Sequence, residues 1–251
     1  MDSSLQIYLD SKLANRYYDS TNNCEYILPV IELDSQYHFL LSVVNASIPH
    51  SFYNMNLNNN TLQWIEDPYV TFVVHSVTIP VGNYSINQFI TELQTLLTPL
   101  VVSYNNITNK ITFTHPTATF AFYSNNNTCF ELLGFSNVNH FSPVSPRVLT
   151  SDICCNMFTT RSLCLCSNIH TDNVHINRPM MQSIICNIPV NSAPNGIVTY
   201  ANTNSFKNNL FSNIMKSITI KFMDQDGNSV DLNGCHYNLT LQLDIFKYVQ
   251  D

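Results

Sequence analysis

Along most of the chain, apolar and polar positions alternate with a period of two. Leu5–Leu9, Cys24–Val30, Tyr37–Ala46 and Tyr69–Val77 carry β-branched or aromatic residues in this way. So do Val101–Tyr104, Ile111–Thr114, Thr119–Tyr123, Leu163–Cys166, Ser183–Ile188, Ile197–Tyr200, Ser217–Phe222 and Asn238–Phe246. The pattern turns one face of each segment to a core and the other to solvent, which predicts half-buried strands. About a dozen strands in a chain of this length predict an all-β sandwich or barrel with additions.

One segment breaks the period. Ser85-Ile86-Asn87-Gln88 forms a capping box, and Ile86, Phe89, Ile90, Leu93, Leu96 and Leu97 recur at helical spacing until Pro99. This predicts an amphipathic helix of about three turns with its apolar stripe aimed at a sheet. A shorter helix is predicted at Cys129–Leu133, with Gly134 as a left-handed stop. Between them, Ser103–Phe113 reads as strand, Asn-rich turn, strand. Residues 83–135 are therefore expected to form a local α+β unit. Residues 135–150, with Pro143, Pro146 and few bulky aliphatics, are the candidate internal seam.

Composition changes the picture in one respect, the surface. Charged residues make up 11% of the 251 residues while hydrophobic residues make up 45%, so the chain folds but exposes few charges. Asn runs at 58–60 and 125–127 stand where Lys and Glu usually do. A net charge of −7, from 10 basic and 17 acidic residues, argues against a dedicated nucleic-acid or anionic-membrane surface, which needs clustered Lys and Arg. The five glycines, at 82, 134, 196, 227 and 234, form no phosphate cradle. The N-terminal residues lack a signal-peptide pattern, and the apolar stretches 39–44 and 70–81 are interrupted by Ser42 and by His75 and Ser76. A soluble cytosolic chain with no membrane-spanning segment is expected. Its eight cysteines are then free thiols, and the sequons at Asn45, Asn59, Asn83, Asn106, Asn126 and Asn238 carry no weight.

Candidate chemistry is thin. Cys154, Cys155, Cys164, Cys166, His170, His175 and Cys186 outnumber the ligands of a structural zinc, but their spacing fits core strands better than a ligand hook. Asp224, Asp226, Asn228 and Asp231 resemble a calcium loop superficially. The template wants Gly sixth and Glu twelfth, and these positions hold Ser229 and Cys235; an Asp-Gly turn explains Asp226-Gly227 without an ion. No nucleophile motif surrounds any of the eight histidines, and His38, His75 and His236 lie in or beside strands. Tyr and Phe, at 13 and 15, suit strand packing. No catalytic, cofactor-binding or metal residue is put forward. A neutral Asn/Tyr surface suits burial against other subunits, because such side chains cost less to desolvate than charges.

Three segments resemble a known family. Ile7-Tyr8-Leu9-Asp10-Ser11 with Phe39–Asn54 is similar to the N-terminal half of penton and minor capsid proteins of large icosahedral double-stranded DNA viruses and their virophage and polinton-like relatives. The second match is Thr78–Ser85 leading into the helix, then Asn109–Phe113 and Glu131–Phe135. The third is Ile218–Phe222, Asp226-Gly227 and Leu239–Leu243. The resemblance implies a mostly β, jelly-roll-type antiparallel sandwich over residues 1–251 with the inserted α+β unit. It implies a non-enzymatic minor capsid subunit, penton-like by preference, with no cofactor. Such a subunit forms homo-oligomers, contacts the major capsid protein and other minor capsid proteins, and resides in the virion after assembly in host cytoplasm. Rival readings are an interlacing or cementing subunit, a glycan-binding attachment module on the virion surface, and an enzyme on a jelly-roll scaffold.

Overall fold

A computed structural model describes residues 3–18, 22–34, 36–169, 171 and 183–247. The chain divides into two compact units, Met1–Phe52 with Thr160–Asp251, and Tyr53–Thr159. In chain order the first unit opens with β1 (Ser3–Asp10), β2 (Arg16–Tyr17), β3 (Asn23–Glu32) and β4 (Tyr37–Pro49). The second follows with β5 (Thr61–Glu66), β6 (Val73–Thr78), α1 (Ile86–Leu96), β7 (Val101–Asn105), β8 (Lys110–Thr114), β9 (Phe120–Phe122), α2 (Phe130–Leu133), β10 (His140–Phe141) and β11 (Val148–Thr150). The first unit closes with β12 (Ser162–Cys166), β13 (Ile184–Pro189), β14 (Ile197–Ala201), β15 (Asn208–Asn209), β16 (Ile214–Met223) and β17 (Asn238–Lys247).

In the first unit, one sheet runs β1-β17-β4-β14, with β15 also on β4, and the other runs β13-β12-β16-β3-β2. Setting aside the two-residue strands β2 and β15, eight strands remain. The first pairs with the last, β1 with β17, and the second with the seventh, β3 with β16. The third pairs with the sixth, β4 with β14, and the fourth with the fifth, β12 with β13. An antiparallel ribbon folded back on itself and wrapped across two sheets has this pairing, so the unit is a jelly roll, as the resemblance implies.

Its core takes Phe39, Leu41 and Val43 from β4, Leu239, Leu241 and Leu243 from β17, Ile218, Ile220 and Phe222 from β16, and Leu163 and Leu165 from β12. Strict alternation along β4 would turn Ala46 and Ile48 outward, yet both are buried. Between Thr240 and Leu241 the register on β4 jumps from Asn45 to Val43, making Val44 an extra residue. That bulge shifts the phase by one and returns Ala46 and Ile48 to the core.

The second unit holds a four-stranded sheet, β10-β9-β5-β6, and a three-stranded sheet, β11-β8-β7. The α1 helix begins as the sequence predicts: the Ser85 side chain accepts from the Gln88 N–H and the Gln88 side chain accepts from the Ser85 N–H. Phe89, Leu93 and Leu97 are buried in the unit's core, and Ile86 and Ile90 pack against it half-buried. At the end of α2, Gly134 has φ 83°, and a Cβ there would lie 2.5 Å from the Ile153 carbonyl oxygen. The stretches 83–135 and 135–150 both lie inside this unit, whose ends are Tyr53 and Thr159.

Two expectations need correction. The strand expected at Tyr69–Val77 is β6, Val73–Thr78; residues 67–72 are a tight turn in which the N–H groups of Val70 and Phe72 both donate to the Asp67 carbonyl. Asp67 and Phe72 have positive φ, 46° and 54°, which takes them out of any strand. Cys154 and Cys155 lie in an extended segment outside any strand, Cys154 exposed and Cys155 half-buried. Backbone bonds fix that segment, from Ile153 to Gly134, from Cys155 to Asn109 and from Asn156 to Leu132. The strand beneath the Trp64 core position, β5, has no counterpart among the predicted strands.

Candidate functional site

The cysteines cannot act as one site. Cys164, Cys166 and Cys186 are buried in β12 and β13, Cys24 is buried in β3, and Cys129 is buried at the start of α2. Cys164 and Cys166 share a small outer cluster with Ile184 and Met223, whereas Cys186 belongs to the main core. The Cys166 thiol lies 3.7 Å from the Met223 sulfur. Burial pushes the thiols of Cys129, Cys166 and Cys186 up to about 12 and that of Cys155 to about 11. A thiol must ionise to ligate zinc or attack a substrate, so these groups behave as small apolar side chains. Among the described residues, no three His, Cys, Asp or Glu side chains are placed to share a metal ion. His170 and His175 lie outside the described residues.

Asp224 uses its carboxylate within its own turn, accepting from the N–H groups of Asp226 and Asn228 and from the Asn228 side-chain amide. The Asp-Gly turn therefore employs the Asp224 carboxylate and the Asn228 amide, two of the four groups named in the calcium reading.

Three-dimensional proximity brings together histidine constellations that sequence spacing could not show, among them one in each unit. Ser11 Oγ lies 3.1 Å from His236 Nδ1. Ser11 is fully buried, however, and its Oγ also accepts from the Tyr237 N–H at 2.8 Å, so the oxygen is enclosed on both sides. In the second unit, Glu66 stands between His75 Nε2 at 3.2 Å and His115 Nε2 at 3.5 Å. His115 Nδ1 accepts from the Ala118 N–H at 2.7 Å, which places the ring hydrogen of the neutral imidazole on Nε2, facing Glu66. That nitrogen has no lone pair to give a metal. His75 stacks on Trp64 with centroids 4.6 Å apart, so the group braces β5, β6 and the turn after β8.

A cleft of about 540 Å³ in the first unit is lined by Cys164, Ile184, Cys186, Tyr200, Asn204 and Phe206, among others, and by no Asp, Glu, Lys, Arg or His. Of the described features, the exposed apolar surface stands out instead. Every residue from Tyr69 to Val74 is exposed, and none is charged. Tyr69, Phe72, Tyr123 and Phe141 form a chain of ring contacts 5.6–6.3 Å apart.

No protein-family model matches the chain, and no curated protein matches it in sequence. A solved structure does match in fold: the crystal structure of the selenomethionine-labelled mavirus penton protein, with TM-score 0.56 and 12% identity, over 98% of this chain and 100% of that one. This chain shares the fold of that penton protein.

Proposed function

We propose that this chain is a structural virion protein: a minor capsid subunit, penton-like, that assembles with copies of itself, contacts the major capsid protein and stabilises an icosahedral shell. The observation carrying this reading is the extent of the fold likeness, which spans the jelly roll and the inserted unit together and leaves neither protein with a large unmatched part. On this reading residues 1–251 work as one structural element, the inserted unit being an elaboration of the jelly roll, with no catalytic role. The charge-poor surface supports it, since a shell subunit desolvates broad lateral faces and neutral amides and phenols cost less there than ion pairs. Assembly in host cytoplasm suits free thiols.

Mass spectrometry of purified virions, beside cryo-EM of the particle, tests the reading. The protein should be a stoichiometric shell component at symmetry-related positions, in far fewer copies than the major capsid protein. Absence from particles, with the protein monomeric in infected-cell cytosol, would overturn it. Density beneath or between capsomers rather than at vertices would identify an interlacing subunit.

A further inference from the structure

An outer strand presents a row of unpaired N–H and C=O groups, and natural sheets usually guard it with Lys, Pro, a bulge or a covering loop. In the second unit, β6 ends the β10-β9-β5-β6 sheet and, among the described residues, pairs only with β5. Its sequence, Val73-Val74-His75-Ser76-Val77-Thr78, has no Lys, Arg, Asp, Glu or Pro, and its pairing with β5 is regular throughout. The direction of its backbone groups follows from two bonds. Ile79 N–H donates to Asn60 O, and on the far side of β5, Asp67 N–H donates to Thr119 O. Alternation then points Val73, His75 and Val77 at β5, and leaves the N–H and C=O groups of Val74, Ser76 and Thr78 facing outward.

Beside this edge lies the exposed apolar surface. Val73 is 44% exposed, Val74 50% and Val81 44%, whereas the rings of Tyr69 and Phe72 turn back over the sheet toward Phe141 of β10 and Tyr123 after β9.

We propose that two copies of this chain join edge to edge through β6, in antiparallel register about a two-fold axis at Ser76. The outward set is centred on Ser76, so this register opposes Ser76 to Ser76 and Val74 to Thr78, and makes one continuous eight-stranded sheet from two four-stranded ones. A second copy is the partner whose edge is complementary by construction, since the strand carries no charge to repel its twin.

The test is light scattering on the full chain over a range of concentrations. Val74→Lys puts a charge on the edge. Ser76→Pro removes an outward N–H, a change an edge strand tolerates without losing its inner ladder. Each should halve the mass of the largest stable species, whether dimer to monomer or paired rings to single rings, with the circular dichroism spectrum unchanged. In a Cys154→Ser, Cys235→Ser background, Ser76→Cys should form disulfide-linked dimers on mild oxidation, since hydrogen-bonded pairs hold Cα atoms about 5.5 Å apart. Ile107→Cys, at an exposed hairpin tip, should not. Equal masses for wild type and both edge variants would overturn the pairing, as would a Ser76→Cys chain that fails to cross-link, even if the patch then proved to bind a glycan or another protein. Either failure leaves the capsid reading standing, and absence from virions with a halved mass would do the reverse.

Discussion

Asp244 carries a carboxylate with no solvent-exposed surface, on the outer side of β17, 2.7 Å from Lys207 Nζ. Burial alone would raise its pKa, but hydrogen bonds from Lys207, Ser4 and Gln242 outweigh that and hold it below the usual carboxylate range. Removing the ammonium strands the charge. Lys207→Met should therefore cost about 3 kcal/mol in urea unfolding at pH 7, the lower end for breaking a buried pair because Lys207 is itself partly exposed. A lowered folded-state pKa gives stability that is present above the unfolded pKa of about 3.9 and lost as pH falls through the folded value. The gap between wild type and variant should accordingly persist from neutrality to about pH 5 and close at lower pH. The thiols make a second prediction at this scale. Cys154 and Cys235 are exposed, and the other six are buried or half-buried. Ellman's reagent should titrate Cys154 and Cys235 promptly in the native protein and all eight cysteines only after reduction and unfolding; equally fast reaction of all eight without denaturant would contradict the burial.

Among the elements, α1 combines local and tertiary determinants. Leu93→Ala should cost about 2–5 kcal/mol for a fully buried leucine, and Ser85→Ala about 1 kcal/mol for the lost cap, both read from the shift in denaturation midpoint. This helix was legible in the sequence because its cap, period and stop lie within fifteen or so residues, and the Gly134 stop and the β7–β8 hairpin were legible for the same local reason. β5 was not. Trp64 and Ile65 are adjacent and both buried, since the sheet is covered on its two faces at that point, so alternation fails where burial is greatest. The bulge at Val44 escaped too, because it is defined by the partner strand β17, nearly two hundred residues away in sequence. In the Tyr69–Phe72 turn, apolar residues serve an exposed aromatic surface, and a pattern that normally means strand misleads there. No reading of spacing could join Glu66 to His115 or Ser11 to His236, contacts that only the folded backbone creates.

At the scale of the whole molecule, the shortage of charge should govern how the proposed assemblies respond to solvent. Contacts built from apolar, Asn and Tyr side chains are screened little by salt, whereas interfaces made of ion pairs weaken steeply. Sedimentation of the assembled protein between low and high salt should therefore show only a mild loss of oligomer. Dissociation by salt alone would mean that the few charged residues dominate the interface. The jelly-roll pairing itself was legible only through the family resemblance, because alternation marks strands without saying which pair.

The nesting of strand partners sets the order in which the molecule can be built. On the ribosome, β1, β3 and β4 emerge first, yet none of them pairs with another of the three: Ser3 lies opposite Ile245, Cys24 opposite Ile220 and Leu41 opposite Leu243. The next segment out, Tyr53–Thr159, contains partners for all its own strands, and its ends are held together by the Thr159 hydroxyl on the Asn54 carbonyl. It is thus equipped to finish folding during translation, when domains generally fold as units. Apart from the two-residue pairing of β2 with β3, the strands made earliest wait longest for their partners, until the C-terminal strands arrive. Nascent chains stalled with Thr159 just clear of the exit tunnel should yield a protease-resistant fragment from about Tyr53 onward, with β1–β4 digested away from it, so that the inserted unit matures before the scaffold that carries it.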